Sequence, residues 1–178
     1  ASSVTVGKGL KTYFYEVTIS RETDGKSYAP NHAITVSLTS SDPTKANVPA
    51  TVTIPAGRSY EYFYVTGVDL TGGAPVTIDA TATNYSTPVK KLTTHVVAPA
   101  LNFSSLDNNR SPVSARDNFD LRTYVPGSVY PNYQTAAADL PIALAIVNDN
   151  PAGIVGGFYN ALTGGTAIAQ VVLRKDNY

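Results

Sequence analysis

Histidine is the side chain best placed for acid-base or metal chemistry near neutral pH, and this chain has two, His32 and His95. Neither has a second histidine or a carboxylate at ligand spacing, and neither is flanked by a motif that would position a nucleophile. Both are expected at the surface. Three glutamates, Glu16, Glu22 and Glu61, are few for general acid-base work, while the ten aspartates leave a paired-carboxylate site open. No G-x-S-x-G elbow, no glycine-rich phosphate loop and no H-E-x-x-H occurs. Cysteine is absent, which removes disulfides, thiolate zinc sites and cysteine nucleophiles. The expectation is a protein without catalysis and without a cofactor. Calcium is the one metal that merits weighing, since it needs only oxygen ligands. Asn148-Asp149-Asn150-Pro151 reads as a turn; Asp107-Asn108-Asn109 is the better candidate but offers a single carboxylate.

The aromatic residues are more informative. There are twelve tyrosines and no tryptophan, and Tyr60, Tyr62 and Tyr64 alternate with Glu61 and Phe63. Period two on a strand sends all three rings to one face. Tyr13 and Tyr15 bracket Phe14 in the same way. Such rings suit stacking on a sugar or burial in a protein contact, where an apolar ring with a polar tip is favoured.

Thirteen Lys plus Arg balance thirteen Asp plus Glu, so no positive excess exists to neutralise phosphates or an anionic membrane. Nucleic acid is therefore an unexpected partner. No apolar run approaches the ~18 residues of a membrane-spanning helix, and without an initiator Met the chain reads as a processed product or a piece of a longer one. Three Asn-x-Ser/Thr sequons, at Asn84, Asn102 and Asn109, carry little weight in a chain so rich in Ser and Thr.

The elements that must position these residues are strands. Ile34, Val36 and Leu38 alternate with Thr35, Ser37 and Thr39, and Val76, Ile78 and Ala80 alternate with Thr77, Asp79 and Thr81, which is the pattern of strands with one buried face. Further strands are predicted over residues 12–19, 51–54, 60–65 and 89–97, and helices should be nearly absent. Strands at this spacing indicate a β-sandwich.

An internal repeat sets the domain organisation. Residues 35–43 resemble residues 142–151 in placing a strand before an Asp/Asn-Pro turn. Leu70-Thr-Gly-Gly73 recurs as Leu162-Thr-Gly-Gly165, each followed by a strand reaching Asn-Tyr, at Asn84-Tyr85 and Asn177-Tyr178. Residues 11–17 sit where residues 120–125 would fall. Two modules are thus expected, residues 1–98 and 99–178, joined near Ala98-Pro99-Ala100. In the second, Ile142, Leu144 and Ile146 share one face and Ala143, Ala145 and Val147 the other, so that strand should be central or covered. The first module continues past Asn84-Tyr85 to Val97, whereas the second has no counterpart of that last strand. Its open edge, carried by Val171 and Leu173, would invite pairing with another chain.

Residues 34–57, from Ile34-Thr-Val-Ser-Leu-Thr-Ser-Ser-Asp-Pro43 to Val52-Thr-Ile-Pro-Ala-Gly57, resemble the bacterial immunoglobulin-like repeats of large cell-surface proteins. In those repeats a V-x-L-x-S-S-x-P strand leads to V-P-x-x-V-T-I-P-A-G, and the match here extends over roughly residues 34–97. The second module lacks the V-T-I-P-A-G segment, so its membership rests on the internal repeat. The resemblance implies an all-β chain of two tandem immunoglobulin-like Greek-key β-sandwiches, the second smaller or lacking its last strand. It implies an extracellular, cell-surface setting, as in adhesins and S-layer proteins, and no catalytic residues. The reading is a structural or adhesive segment whose partners are copies of itself or neighbouring modules. The alternatives are a carbohydrate-binding module that meets surface glycan through its tyrosines, and an accessory domain of a secreted hydrolase.

Overall fold

The structure is a computed structural model that describes residues 3–13, 17–23, 26–86, 91–105, 115–145 and 157–177. Every regular element in these residues is a strand. The first twelve are β1 (Ser3–Gly7), β2 (Leu10–Lys11), β3 (Thr18–Ser20), β4 (Glu22–Thr23), β5 (Lys26–Ser27), β6 (Ile34–Ser40), β7 (Ala46–Asn47), β8 (Thr51–Ile54), β9 (Tyr60–Tyr62), β10 (Thr66–Gly67), β11 (Val76–Thr81) and β12 (Leu92–Val97). The remaining seven are β13 (Ala100–Ser104), β14 (Asp120–Tyr124), β15 (Thr135–Ala136), β16 (Leu140–Ala143), β17 (Phe158–Tyr159), β18 (Ala167–Ile168) and β19 (Gln170–Leu173).

Alternation decides which face of each strand is buried. Ile34, Val36 and Leu38 of β6, Val52 and Ile54 of β8, and Val76, Ile78 and Ala80 of β11 point inward, while Thr35, Ser37, Thr51 and Thr53 point to solvent. These strands form a five-stranded sheet in the order β1-β12-β11-β6-β8, in which β1 runs parallel to β12 and the other neighbours are antiparallel. Val17, Phe63, Val65 and Ala46 complete the core from the opposite layer. Each large apolar side chain so buried contributes about 1.5–3 kcal/mol. The architecture is all-β and consistent with a β-sandwich.

Two predicted strands are interrupted. Residues 60–67 lie along residues 10–20, but as two ladders, β3 with β9 and β2 with β10. Between them Val65 donates its N–H to the Thr12 hydroxyl (3.1 Å) while Thr12 N–H donates to the Val65 carbonyl (3.0 Å). A buried side-chain oxygen stands where a ladder carbonyl would, and the regular pairing breaks there. Residues 14–16 and 89–90, parts of two predicted strands, lie outside the described residues.

The repeat has local structural echoes. The antiparallel pair β6 and β11 has a counterpart in β16 and β19. Both glycine pairs of the repeated Leu-Thr-Gly-Gly are left-handed, Gly72 and Gly73 at φ 61° and 97°, Gly164 and Gly165 at φ 64° and 73°. Their settings differ: the first crosses between sheets, from β10 to β11, and the second turns the β17–β18 hairpin.

Among the described residues, those from 100 to 177 form three two-stranded pairs, β13–β14, β16–β19 and β17–β18, while β15 joins a four-stranded sheet in the order β15-β2-β10-β7. Within this chain the strand expected to be central or covered by a partner has one face buried, at Ile142, while Ala143 and Ala145 on the other face are exposed. Alanine removes too little surface from water to demand a cover. Residues 146 and 147 lie outside the described residues.

Candidate functional site

The most organised polar and apolar constellation lies where residues 100–177 meet residues 3–97. Only Ala98 and Pro99 separate β12 from β13. Leu10, Val125 and Ala136 form a second buried cluster, with Val97 and Leu173 packed against it. Gly7 makes room for that cluster: a Cβ there would stand 2.7 Å from Leu10 Cδ1 and 3.1 Å from both Pro99 Cβ and Val125 Cγ2. Gly67 packs still closer, because a Cβ would lie 2.3 Å from the Gly7 carbonyl oxygen.

Main-chain bonds then stitch the two parts. Thr135 and Ala136 pair with Lys11 and Leu10, and Ala137 N–H donates to the Gly9 carbonyl (2.9 Å). On the other side of β15, Ala136 N–H donates to the Asn177 carbonyl (2.8 Å) and Asp176 N–H to the Ala136 carbonyl (2.9 Å). Lys11 forms an ion pair with Asp176, and its ammonium lies 5.3 Å from the centre of the Tyr64 ring. Gln134 is fully buried; its amide bonds Gly7 N, Thr5 O and Ser128 Oγ.

Carboxylates hold the end of the chain. The Lys11 ammonium keeps the Asp176 carboxyl below its ordinary value. The N–H of Lys175, then the Arg174 guanidinium, do the same for Asp139. Elsewhere Lys8 lowers Asp69, Lys91 lowers Asp79 and the Thr44 hydroxyl lowers Asp42. A carboxyl depressed by folding adds stability above its unfolded value, and that stability is lost as pH falls through the folded value. The melting temperature should therefore be nearly flat from pH 7 to pH 5 and drop below about pH 4. Asp176→Asn should shallow that acid limb in a calorimetric series; an identical limb would remove Asp176 from the account.

The tyrosines fall into two groups. Phe63 and Val65 are buried, so the rings between and before them face outward. Tyr60 and Tyr62 meet edge to face at 5.4 Å, with Arg58 stacked 5.4 Å over Tyr60 and paired to Glu61 at 3.3 Å. Tyr64 instead lies by Lys11 at the junction. Tyr13 also belongs there, with ring centres 5.0 Å from Tyr130 and 5.4 Å from Tyr133; Tyr15 lies outside the described residues. Val171 pairs with Ile142 and Leu173 with Leu140.

Sequence reasoning missed Gln134, Tyr130, Tyr133, Gly7 and Gly67. Residues 126–134 carry turn chemistry and no alternation, and no pattern marks a lone glutamine as a junction residue. His32 is exposed and bonded to Asn31 Oδ1 at 2.7 Å; His95 is half-buried on β12, opposite Thr5. Among the described residues no group of three His, Asp or Glu side chains could hold a metal. Asp107-Asn108-Asn109 and residues 148–151 lie outside them.

No protein-family model matches the chain, and no curated protein matches it. Among solved structures it is similar to domains 5-6 of the S-layer protein SbsC, at 19% identity and a TM-score of 0.42, covering 99% of this chain and 82% of that one. It is likewise similar to domains 4-9 of surface layer protein SbsC, at 20% identity and a TM-score of 0.42, covering 98% of this chain. The chain spans 26% of the length of that second structure.

Proposed function

We propose that this chain is a non-catalytic structural segment of an extracellular, cell-surface bacterial protein, built of two immunoglobulin-like sandwiches over residues 1–98 and 99–178. Its work is geometric. The modules hold a set angle, so that contact surfaces at either end are presented at a fixed distance and direction to copies of the chain or to adjoining modules. The observation that carries the reading is the junction itself: a ladder, a buried amide and an apolar cluster join the two parts where a flexible linker could have served. An interface so built resists bending more than a Pro-containing linker alone would.

Contact with copies is assigned to the Tyr60 and Tyr62 face and to the edge of the second module at Val171. Paired rings with polar tips suit such a contact. Tyr62→Ala should weaken self-association about tenfold, on the order of 1.4 kcal/mol, with the monomer's melting temperature preserved. Sedimentation velocity over a concentration series measures it, and unchanged association would sink the role of that face. A second reading has the same paired rings meet a surface glycan, with the half-buried Tyr62 and the neighbouring Arg58 and Glu61 as stacking and polar partners. Glycan-array binding that disappears in Tyr60→Ala and Tyr62→Ala would establish it, and silence across the array would remove it.

A further inference from the structure

The outer edge of β1 is finished by a side chain. In a parallel ladder, one residue of the neighbouring strand donates its N–H to the carbonyl before the residue it faces and accepts from the N–H after it. The Gln134 amide makes this pair of bonds around Val6: Nε2 donates to the Thr5 carbonyl at 2.7 Å, and Oε1 accepts from Gly7 N–H at 2.9 Å. Only the oxygen can accept from Gly7 and only the nitrogen can donate to Thr5, so the amide has one orientation. Its second N–H reaches Ser128 Oγ at 3.0 Å. The Gln134 carbonyl accepts from Thr123 Oγ1 at 3.1 Å, and the next two residues pair with β2.

We infer that Gln134 is the positioning residue of the junction: its amide stands in for one residue of a strand parallel to β1 and thereby sets the direction in which residues 100–177 leave residues 3–97. This rests on the spacer reading above and adds the side chain that sets the angle. The β15–β2 ladder spans two residues, too short to hold an orientation by itself. The Lys11–Asp176 pair leaves Asp176 mostly exposed, and exposed pairs orient weakly. The Gln134 amide instead bonds two main-chain groups flanking a fully buried Val6, where losing it strands a donor and an acceptor away from water. Without it the two parts stay tethered and hinge.

The chain has no cysteine, so Thr53→Cys and Ala143→Cys, both exposed strand positions, give a clean pair of spin-label sites on residues 1–178. Pulsed dipolar spectroscopy should return one narrow distance distribution. Gln134→Leu should at least double its width, while the circular dichroism of the first sandwich persists. Gln134→Glu separates positioning from plain packing. An ionised carboxylate accepts from Gly7 but cannot donate to Thr5; the protonated acid does both, and burial raises its pKa. The titratable groups around the site are Lys11 and Asp176 beyond β15, His95 opposite Thr5 on β12, and Tyr130 and Tyr133 on Gln134's own segment. Each pH is therefore referenced to the protein that keeps Gln134. The Glu variant should be broad at about pH 8 and narrow at about pH 5, against an unchanged reference. A Leu variant as narrow as the parent overturns the inference, as does a Glu variant whose width ignores pH. Failure of the spacer reading would show differently, as absent self-association with these widths unaltered.

Discussion

Residues 99–178 expressed alone will not fold, whereas residues 1–98 alone will. The first part owns its core: Val4, Val6, Ile34, Val36, Leu38, Ile54, Phe63, Val65, Val76, Ile78 and Val96 are all buried among themselves. In the second part the buried apolar residues among those described are Val125, Ala136 and Ile142, and two of these pack on Leu10 of the first. Ordering a residue costs about 1–2 kcal/mol in backbone entropy, and among the described residues of the second part these three buried side chains, the alanine contributing least, offset little of that cost. Leu101 and Phe103 on β13 are more than two-fifths exposed, so this hairpin adds little burial. The first part is thus the template on which the second folds. Thermal melts followed by circular dichroism, with amide proton dispersion as a second readout, should show a cooperative transition for residues 1–98 and none for residues 99–178. A cooperative transition in the second fragment would contradict this assignment of stability.

Gly67→Ala should be the most damaging alanine substitution among the described glycines. The new Cβ would lie 2.3 Å from the Gly7 carbonyl oxygen, 3.0 Å from its carbon and 3.0 Å from Val96 Cγ1. Backbone on one side and a core valine on the other leave it nowhere to go. Overpacking commonly costs about 1–3 kcal/mol and more where backbone must move, so a loss of about 3 kcal/mol or more is expected by urea titration. Gly57→Ala is the control, because Gly57 has φ 80° but nothing within 4 Å of its Cβ. It should cost only the left-handed penalty of about 1–2 kcal/mol. Equal losses at the two positions would mean that conformation, and not the approach of the two chain segments, sets the cost.

What could be read from the chain beforehand follows from where period two is enforced by a shared core. Strands β6, β8 and β11 match their predicted limits closely because each has one face against the same apolar layer and one in water. The pattern weakens wherever a side chain substitutes for main chain. Thr12 breaks the first long strand with its hydroxyl, and Gln134 ends an edge that the alternation of β1 would leave open. Neither substitution changes composition or periodicity, so neither was legible. Tyr60 and Tyr62 meet edge to face while Tyr64 lies by Lys11, and the division between Tyr60–Tyr62 and the Tyr13–Tyr130–Tyr133 group depends on residues more than a hundred apart in the chain. Composition could exclude chemistry from the cysteine count and the charge balance. It could not locate a junction built from one amide, two glycines and a two-residue ladder.

The central claim is that the junction holds the two parts in one orientation. Residual dipolar couplings of the backbone N–H vectors, collected on the whole chain in a weakly aligning medium, test it most directly. The account predicts that couplings from residues 3–97 and 100–177 fit a single alignment tensor, with one magnitude and one set of axes. Two tensors of clearly different magnitude would mean that the parts reorient independently, and a spacer that sets an angle would be the wrong description of this protein.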